Sequence, residues 1–184
     1  MPDDDLTARR GPAGAQCSVY TFKEGALSRL AHDLHLSVAK MEVKTSANHD
    51  SVSAEFDAAS LEVVGARQGG RDLPGVIGPA DCRKIEETIR REVLESGRYP
   101  FIRFESEGVV PDGAEYQIDG VLDLHGVRRP CRVRACRGAG AWIGRASINQ
   151  RDFGISPYRA ALGTLRVREI VEIEVRVPYG EDHA

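Results

Sequence analysis

Histidine is the side chain best placed to do chemistry in this chain, because imidazole titrates near neutrality and ligates metals. Two of the five stand together in "RLAHDLHLSVAKMEV" (residues 29–43), where His32, Asp33 and His35 open an apolar run. On a helix, His32 and His35 would lie one turn apart and could share a metal. The residues that follow alternate instead, with Leu34, Leu36 and Val38 on one face and His35, Ser37 and Ala39 on the other. In that register His32 joins the inward face and His35 points away, since a three-residue step on a strand separates side chains. A shared metal would need a bulge and His125 brought alongside. His32 reads as a polar anchor at the rim of an apolar cavity. Asp33 reads as a solvated or turn-bonding residue, His125 as a turn residue, and His49 and His183 as exposed.

Little else supports catalysis. There is no G-x-S-x-G elbow. Cys17, Cys82, Cys131 and Cys136 form no CxxC pair, and the five-residue step between the last two puts them on opposite strand faces. They read as free thiols in a reducing cytosol. Glu86 and Glu87 look like the wet face of a helix. The glycines of "GARQGGRDLPGVIGP" do not pass from a strand directly into a helix, so phosphate cradling is unsupported and a flexible loop is expected. The chain is expected to be no enzyme and to carry no metal or cofactor. The alternatives are a small enzyme or metal-binding protein using His32 with His35 or His125, and a non-catalytic interaction module.

The elements that position these residues are mostly strands. A chain of 184 residues suits one domain, and 41% hydrophobic with 29% charged residues is ordinary globular composition. The net charge of -3 comes with no sustained basic run, so nucleic acid is not an expected partner. No apolar run approaches the roughly 20 residues that span a bilayer. The acidic, Pro- and Gly-containing opening reads as a disordered tail over residues 1–15, not a signal peptide, and a cytoplasmic setting is expected. Residues 16–178 form the predicted domain, followed by a short tail over 179–184.

Period-two alternation predicts strands near 17–22, 34–39, 51–57, 101–106, 116–124, 131–135, 142–149 and 171–177. In "YQIDGVLDLHG" it runs straight through Asp119-Gly120, so one long strand is expected, with something packed closely on the glycine. "PADCRKIEETIRREVLESG" breaks the pattern: Ile85, Ile89 and Val93 recur every four residues. This predicts a helix over about 81–96, with Asp81 as N-cap and Gly97 as stop, that covers something. About eight short strands and one helix point to a closed antiparallel barrel, with a filled sandwich as runner-up.

Four segments, "RYPFIRFES", "YQIDGVLDLHGVRRP", "INQRDFGI" and "VREIVEIEVRV", in this order and spacing, resemble the YceI-like domains from about Ser18 to Val177. "AHDLHL" and "GISPYRAALGTLRVR" look like a cytoplasmic branch of that family. The resemblance implies a lipocalin-like, extended eight-stranded β-barrel enclosing a polyisoprenoid, quinone-like or fatty-acyl lipid, for carriage or sequestration. With the aromatics of the matched motifs, it suggests a pocket drawn from His32, Leu34, Leu36, Phe101, Phe104, Trp142, Phe153, Tyr158 and Leu162. A monomer or homodimer is expected.

Overall fold

A computed structural model describes residues 14–24, 32–46, 50–160 and 165–179. The expected N-terminal tail (apart from residues 14 and 15), most of the C-terminal one, His49, His183 and Leu162 lie outside them. The chain builds β1 (Gln16–Thr21), β2 (Lys23–Glu24), β3 (Asp33–Val38), β4 (Met41–Thr45), β5 (Val52–Asp57), β6 (Leu61–Gln68) and β7 (Arg71–Leu73). Helix α1 (Pro79–Thr88) follows, continued by a wider turn over Ile89–Val93. Then come β8 (Phe101–Asp112), β9 (Glu115–Leu124), β10 (Val127–Gly138), β11 (Ala141–Asn149), β12 (Arg159–Ala160), β13 (Leu165–Val167) and β14 (Ile170–Pro178).

Two of these strands are long and bent. β3 runs through Ala39-Lys40 into β4, and β5 runs through Ala58–Ser60 into β6. The two stay paired along both halves, β3 with β6 and β4 with β5, all antiparallel. Backbone bonds carry the pairing through the corner: Ala39 N–H donates to Ser60 O and Asp57 N–H to Lys40 O, each at 3.0 Å. One bent strand meets β1 through β3, and the other meets β8 through β5. The ladders from β8 through β9, β10, β11 and β14 lead back to β1. With each bent strand counted once, the ring has eight strands and closes on itself. β2, β12 and β13 form a small separate sheet.

The residue expected to have a close neighbour has one. A Cβ on Gly120 would stand 2.3 Å from the Glu105 carbonyl oxygen and 2.8 Å from Cζ of Phe104. The Phe104 ring lies over the glycine, so β9 continues through Asp119-Gly120 with no turn there. The chain turns at His125-Gly126, where φ of +55° and +73° in a two-residue connection suits a hairpin of primed type. Tyr99 packs on that turn, with Cε1 only 2.6 Å from where a Gly126 side chain would begin.

Three expectations are corrected. The glycine-rich stretch is not a loose loop: Gly69 and Gly70, at φ +57° and +80°, turn β6 into β7. The helix cap is Gly78, with Pro79 at the first helical position, whose missing N–H is no loss there. Asp81 sits inside the first turn, where its charge suits the helix dipole. At the far end Glu95, not Gly97, takes the left-handed conformation, at φ +45°.

Filling the space above Gly120 should strain the barrel. Gly120→Ala is expected to lower unfolding free energy by about 1–3 kcal/mol, the usual cost of overpacking. Urea denaturation checks this; an unchanged midpoint would mean that the β8 backbone at Glu105 and Ser106 gives way freely together with Phe104.

Candidate functional site

The barrel is not filled by its own side chains. It encloses a cavity of about 690 Å³, within the range of small-molecule sites. Alternate residues make the wall, as period two requires: Cys17, Val19 and Thr21 from β1, Leu34, Leu36 and Val38 from β3, and Ile118, Leu122 and Leu124 from β9. β14 adds Val171, Ile173, Val175 and Val177. The helix stripe Ile85, Ile89 and Val93 supplies the cover. Glu86 ties the helix down, its Oε1 accepting from Val63 N–H at 2.9 Å. That N–H sits where the β3–β6 register slips by one residue.

Of the residues expected to line a pocket, His32, Leu34, Leu36, Phe104, Trp142 and Tyr158 do so. Leu36 is 2% exposed and Phe104 7%, whereas Tyr158 is 43% exposed at the rim. Phe101 is a correction. It lies three residues before Phe104, faces the opposite side of β8, and carries Arg103 over its outer ring face at 5.1 Å. Phe153 is another: it is buried, but in the core cluster beside Ile148 and Ile155, and it does not line the cavity. The helix face and Tyr116, whose ring meets Trp142 edge-on at 5.4 Å, were not among the expected lining. The helical stripe was the available signal for the first of these.

The histidines part company as the register requires. His32 lines the cavity. His35 lies outside, with Nδ1 2.9 Å from Asp72 Oδ2 and Nε2 2.9 Å from Ser18 Oγ. Asp72 also pairs with Arg67 Nε at 2.9 Å, and that guanidinium covers the Tyr20 ring, which in turn leans on His35. Ser18, His35 and Asp72 are connected in the order of a nucleophile–base–acid triad. Ser18, however, stands mid-strand, its backbone held between Ser37 and Glu174 by the ladders on both sides. Those ladder bonds occupy the N–H groups an oxyanion would need. The cluster is better suited to tying β7 onto β1, β3 and β6. His125 is remote from this group: its ring packs on Tyr99 at 4.4 Å, and Nε2 lies 3.4 Å from Glu95 Oε1. That contact does not have hydrogen-bond geometry, so the buried nitrogen is unsatisfied. Among the described residues no group of three or more His, Cys, Asp or Glu side chains could hold a metal.

The four cysteines are free. Cys131 faces the cavity and Cys136 does not. Burial in the apolar wall pushes the Cys17 thiol from an ordinary 9.0 up to about 12.

Comparison with known proteins follows the geometry. A family model described as the YceI-like domain matches residues 17–179. No curated protein matches the chain significantly. Among solved structures, the chain is similar to BcnA of Burkholderia cenocepacia, with a TM-score of 0.62 at 14% identity over 90% of this chain and 96% of that one. A polyisoprenoid-binding domain from Saccharophagus degradans, implicated in plant cell wall breakdown, gives 0.56 at 12% identity over 90% and 93%. The YceI protein of Campylobacter jejuni gives 0.53 at 13% identity over 79% and 85%. At such identities the likeness is one of fold.

Two outcomes are expected from these placements. His35→Ala should speed amide exchange in β7 and cost about 1 kcal/mol, the scale of a hydrogen-bonded tie; protection equal to the parent's would sink the tie. Cys17 should give an alkaline slope. Between the ordinary thiol value and about 12, only the unfolded chain releases that proton, so stability falls as pH rises through this window. Cys17→Ala should flatten the slope in denaturation curves taken across it.

Proposed function

The chain belongs to the YceI-like domain family, and we propose that it binds a long apolar lipid inside its barrel, for carriage or sequestration. On this reading it is a binding protein and not an enzyme. The ligand class is an isoprenoid, a quinone-like lipid or a fatty-acyl chain. The observation that carries the reading is the cavity of about 690 Å³ with an almost wholly apolar wall under a helical cover. A barrel built for stability alone would fill such a space, because an empty apolar void forfeits dispersion contacts along its whole lining.

Burial supplies the affinity. Each CH₂ withdrawn from water contributes about 0.8 kcal/mol, so a chain of several isoprene units outweighs the cost of association. Polar groups are then needed only where a head group sits. His32 supports that role, being a lining residue that is also exposed to solvent. The polyisoprenoid-binding domain of Saccharophagus degradans shares the fold, which supports the ligand class. Among the described residues no helix is long and apolar enough to cross a membrane. The four free thiols support a reducing, cytoplasmic setting.

Trp142 provides the assay, since it is the chain's single tryptophan and lines the cavity. Its emission should shift saturably as an isoprenoid or long-chain lipid enters, and native mass spectrometry should show one lipid per chain. A clean apo mass and unmoved emission across a panel of such lipids would refute the proposal. His32→Ala should weaken a lipid with a polar head by about 1–2 kcal/mol, one sheltered hydrogen bond. His35→Ala should leave lipid affinity unchanged. Equal losses in the two variants would argue against the division of faces.

A further inference from the structure

The cavity wall is biased in charge as well as in polarity. Across the chain, acids outnumber Lys and Arg by 28 to 25. Among the described lining residues, however, the charged groups are Lys23, Lys84, Arg137 and Arg166, joined by His32, and none is Asp or Glu. These five are not spread evenly along the barrel. The ladders place Gln16 beside Arg176 and Ala141 beside Pro178 at one end, and Thr21 beside Leu34 and Asn149 beside Ile170 at the other. Arg137 belongs to the first end, stacked over its strand partner Trp142 at 4.9 Å. Lys23 follows β1 and His32 precedes β3 at the second end, where β13 sets Arg166 beside Glu24 of β2. Lys84 lines the cavity from α1, and the chain beyond that helix runs to Tyr99, on the His125-Gly126 turn at this second end.

An amphiphile whose tail fills the apolar cavity leaves its head at a mouth, and the charged side chains that reach the described lining are all cations, their acidic partners Glu24 and Asp81 standing outside it. We infer that the ligand carries an anionic head group, a carboxylate or a phosphate, held at the helix-side mouth by Lys84 and Arg166 with His32 as a further donor. The inference rests on the reading of the cavity as a lipid site. Arg166 has donors to spare. Its Nη2 bonds Glu24 Oε1 at 2.9 Å, which uses one of the five N–H groups of a guanidinium. Glu24 is then a resident carboxylate that competes with the head. Lys84 has a side chain 80% exposed, 3.6 Å from Asp81 across one helical turn, and its flexible stem can bring the ammonium to a head group at the rim. A cationic head would meet the same charges as repulsion.

Four amphiphiles of one chain length separate head from tail: hexadecanoate, hexadecyl phosphate, hexadecanol and hexadecyltrimethylammonium. Each is titrated into the full chain at low salt, below its micellar concentration, with Trp142 emission as readout. The anions should bind about ten-fold more tightly than the alcohol, the ammonium most weakly, and added salt should erase the difference. Whichever anion binds more tightly names the head. Lys84→Gln and Arg166→Gln should each lower anion affinity about three-fold or more while leaving the alcohol unchanged. Lys84→Gln makes this test on the exposed helix, without touching the sheet. Glu24→Gln should act in the opposite sense and strengthen anion binding alone. Equal binding of anion and alcohol would overturn the inference and leave the lipid site standing. Binding of none of the four would overturn both.

Discussion

The corner at Ala39-Lys40 and Ala58–Ser60 is the constraint on which the rest depends. A sheet of antiparallel strands ordinarily ends in two edges, each with unpaired backbone groups. Here two strands bend together, so that one half of the pair meets β1 and the other half meets β8. The bond pair at Ala39–Ser60 and Asp57–Lys40 keeps the ladder unbroken at the bend. Closure satisfies the backbone without any need for a packed interior, and that freedom makes a cavity possible. Remove the bend, and β4 and β7 become the edges of an open sheet whose apolar face would have to collapse on something else.

Closure alone does not keep a void. Its wall must be stiff enough not to fall inward, and local contacts supply that stiffness. The Phe104 ring reaches over Gly120 with Cζ, and the β8 backbone closes in beside it, where a larger residue would push the strands apart. Ile118, Leu122, Leu124, Ile148 and Ile155 pack into the same cluster. The outer face is a ladder of charges, with Arg132 on Asp119 and Arg145 on Glu174, whose worth at such exposure is small. The helix then covers what the strands leave open. Its anchoring bond runs from Val63 N–H to Glu86. The ladder from Ala39–Ser60 onward turns that N–H away from β3, and β7 pairs only with Ala66–Gln68, so the helix carboxylate takes a donor that no strand uses.

Sequence pattern revealed the parts of this design that obey a single period. β1, β3, β9, β11 and β14 alternate cleanly, as does the helical stripe, so their inward residues could be named. Failures fall where two rules compete. Val63 and Val64 are adjacent apolar residues; the bulge turns the second outward to 53% exposure, and alternation does not survive it. β6 is therefore not among the strands expected from alternation, and its second half, from Gly65 on, falls in the glycine-rich stretch expected to be a loop. Gly69-Gly70 suits a loose chain and a tight primed turn equally, because glycine permits both, and only the pairing of β6 with β7 decides. Phe101 was drawn into the pocket by its aromatic character, although its step of three from Phe104 already placed it outside. Asp81 has a good capping side chain, but Pro79 two residues earlier fixes the start of the helix more firmly.

His32 and His35 show how far one strand can divide its work. They are three residues apart and chemically identical, yet the pleat gives one to the cavity and the other to a polar cluster on the outside. Outside, His35 finds two partners at hydrogen-bond distance, Ser18 and Asp72, and the second of these is already balanced by Arg67. Groups paired in this way hold segments in place, although the buried Arg67 Nε meets Asp72 as an ion pair without hydrogen-bond geometry. Inside, His32 lines a cavity whose charged lining residues among those described, Lys23, Lys84, Arg137 and Arg166, are cations, with Glu24 paired to the last of them. Among the described lining residues no carboxylate stands by to orient that imidazole as a base. It can still offer N–H donors to an acceptor that arrives with the ligand. The pleat thus spends one histidine on holding strands together and leaves the other on the cavity wall, which supports the proposed role of that wall in binding.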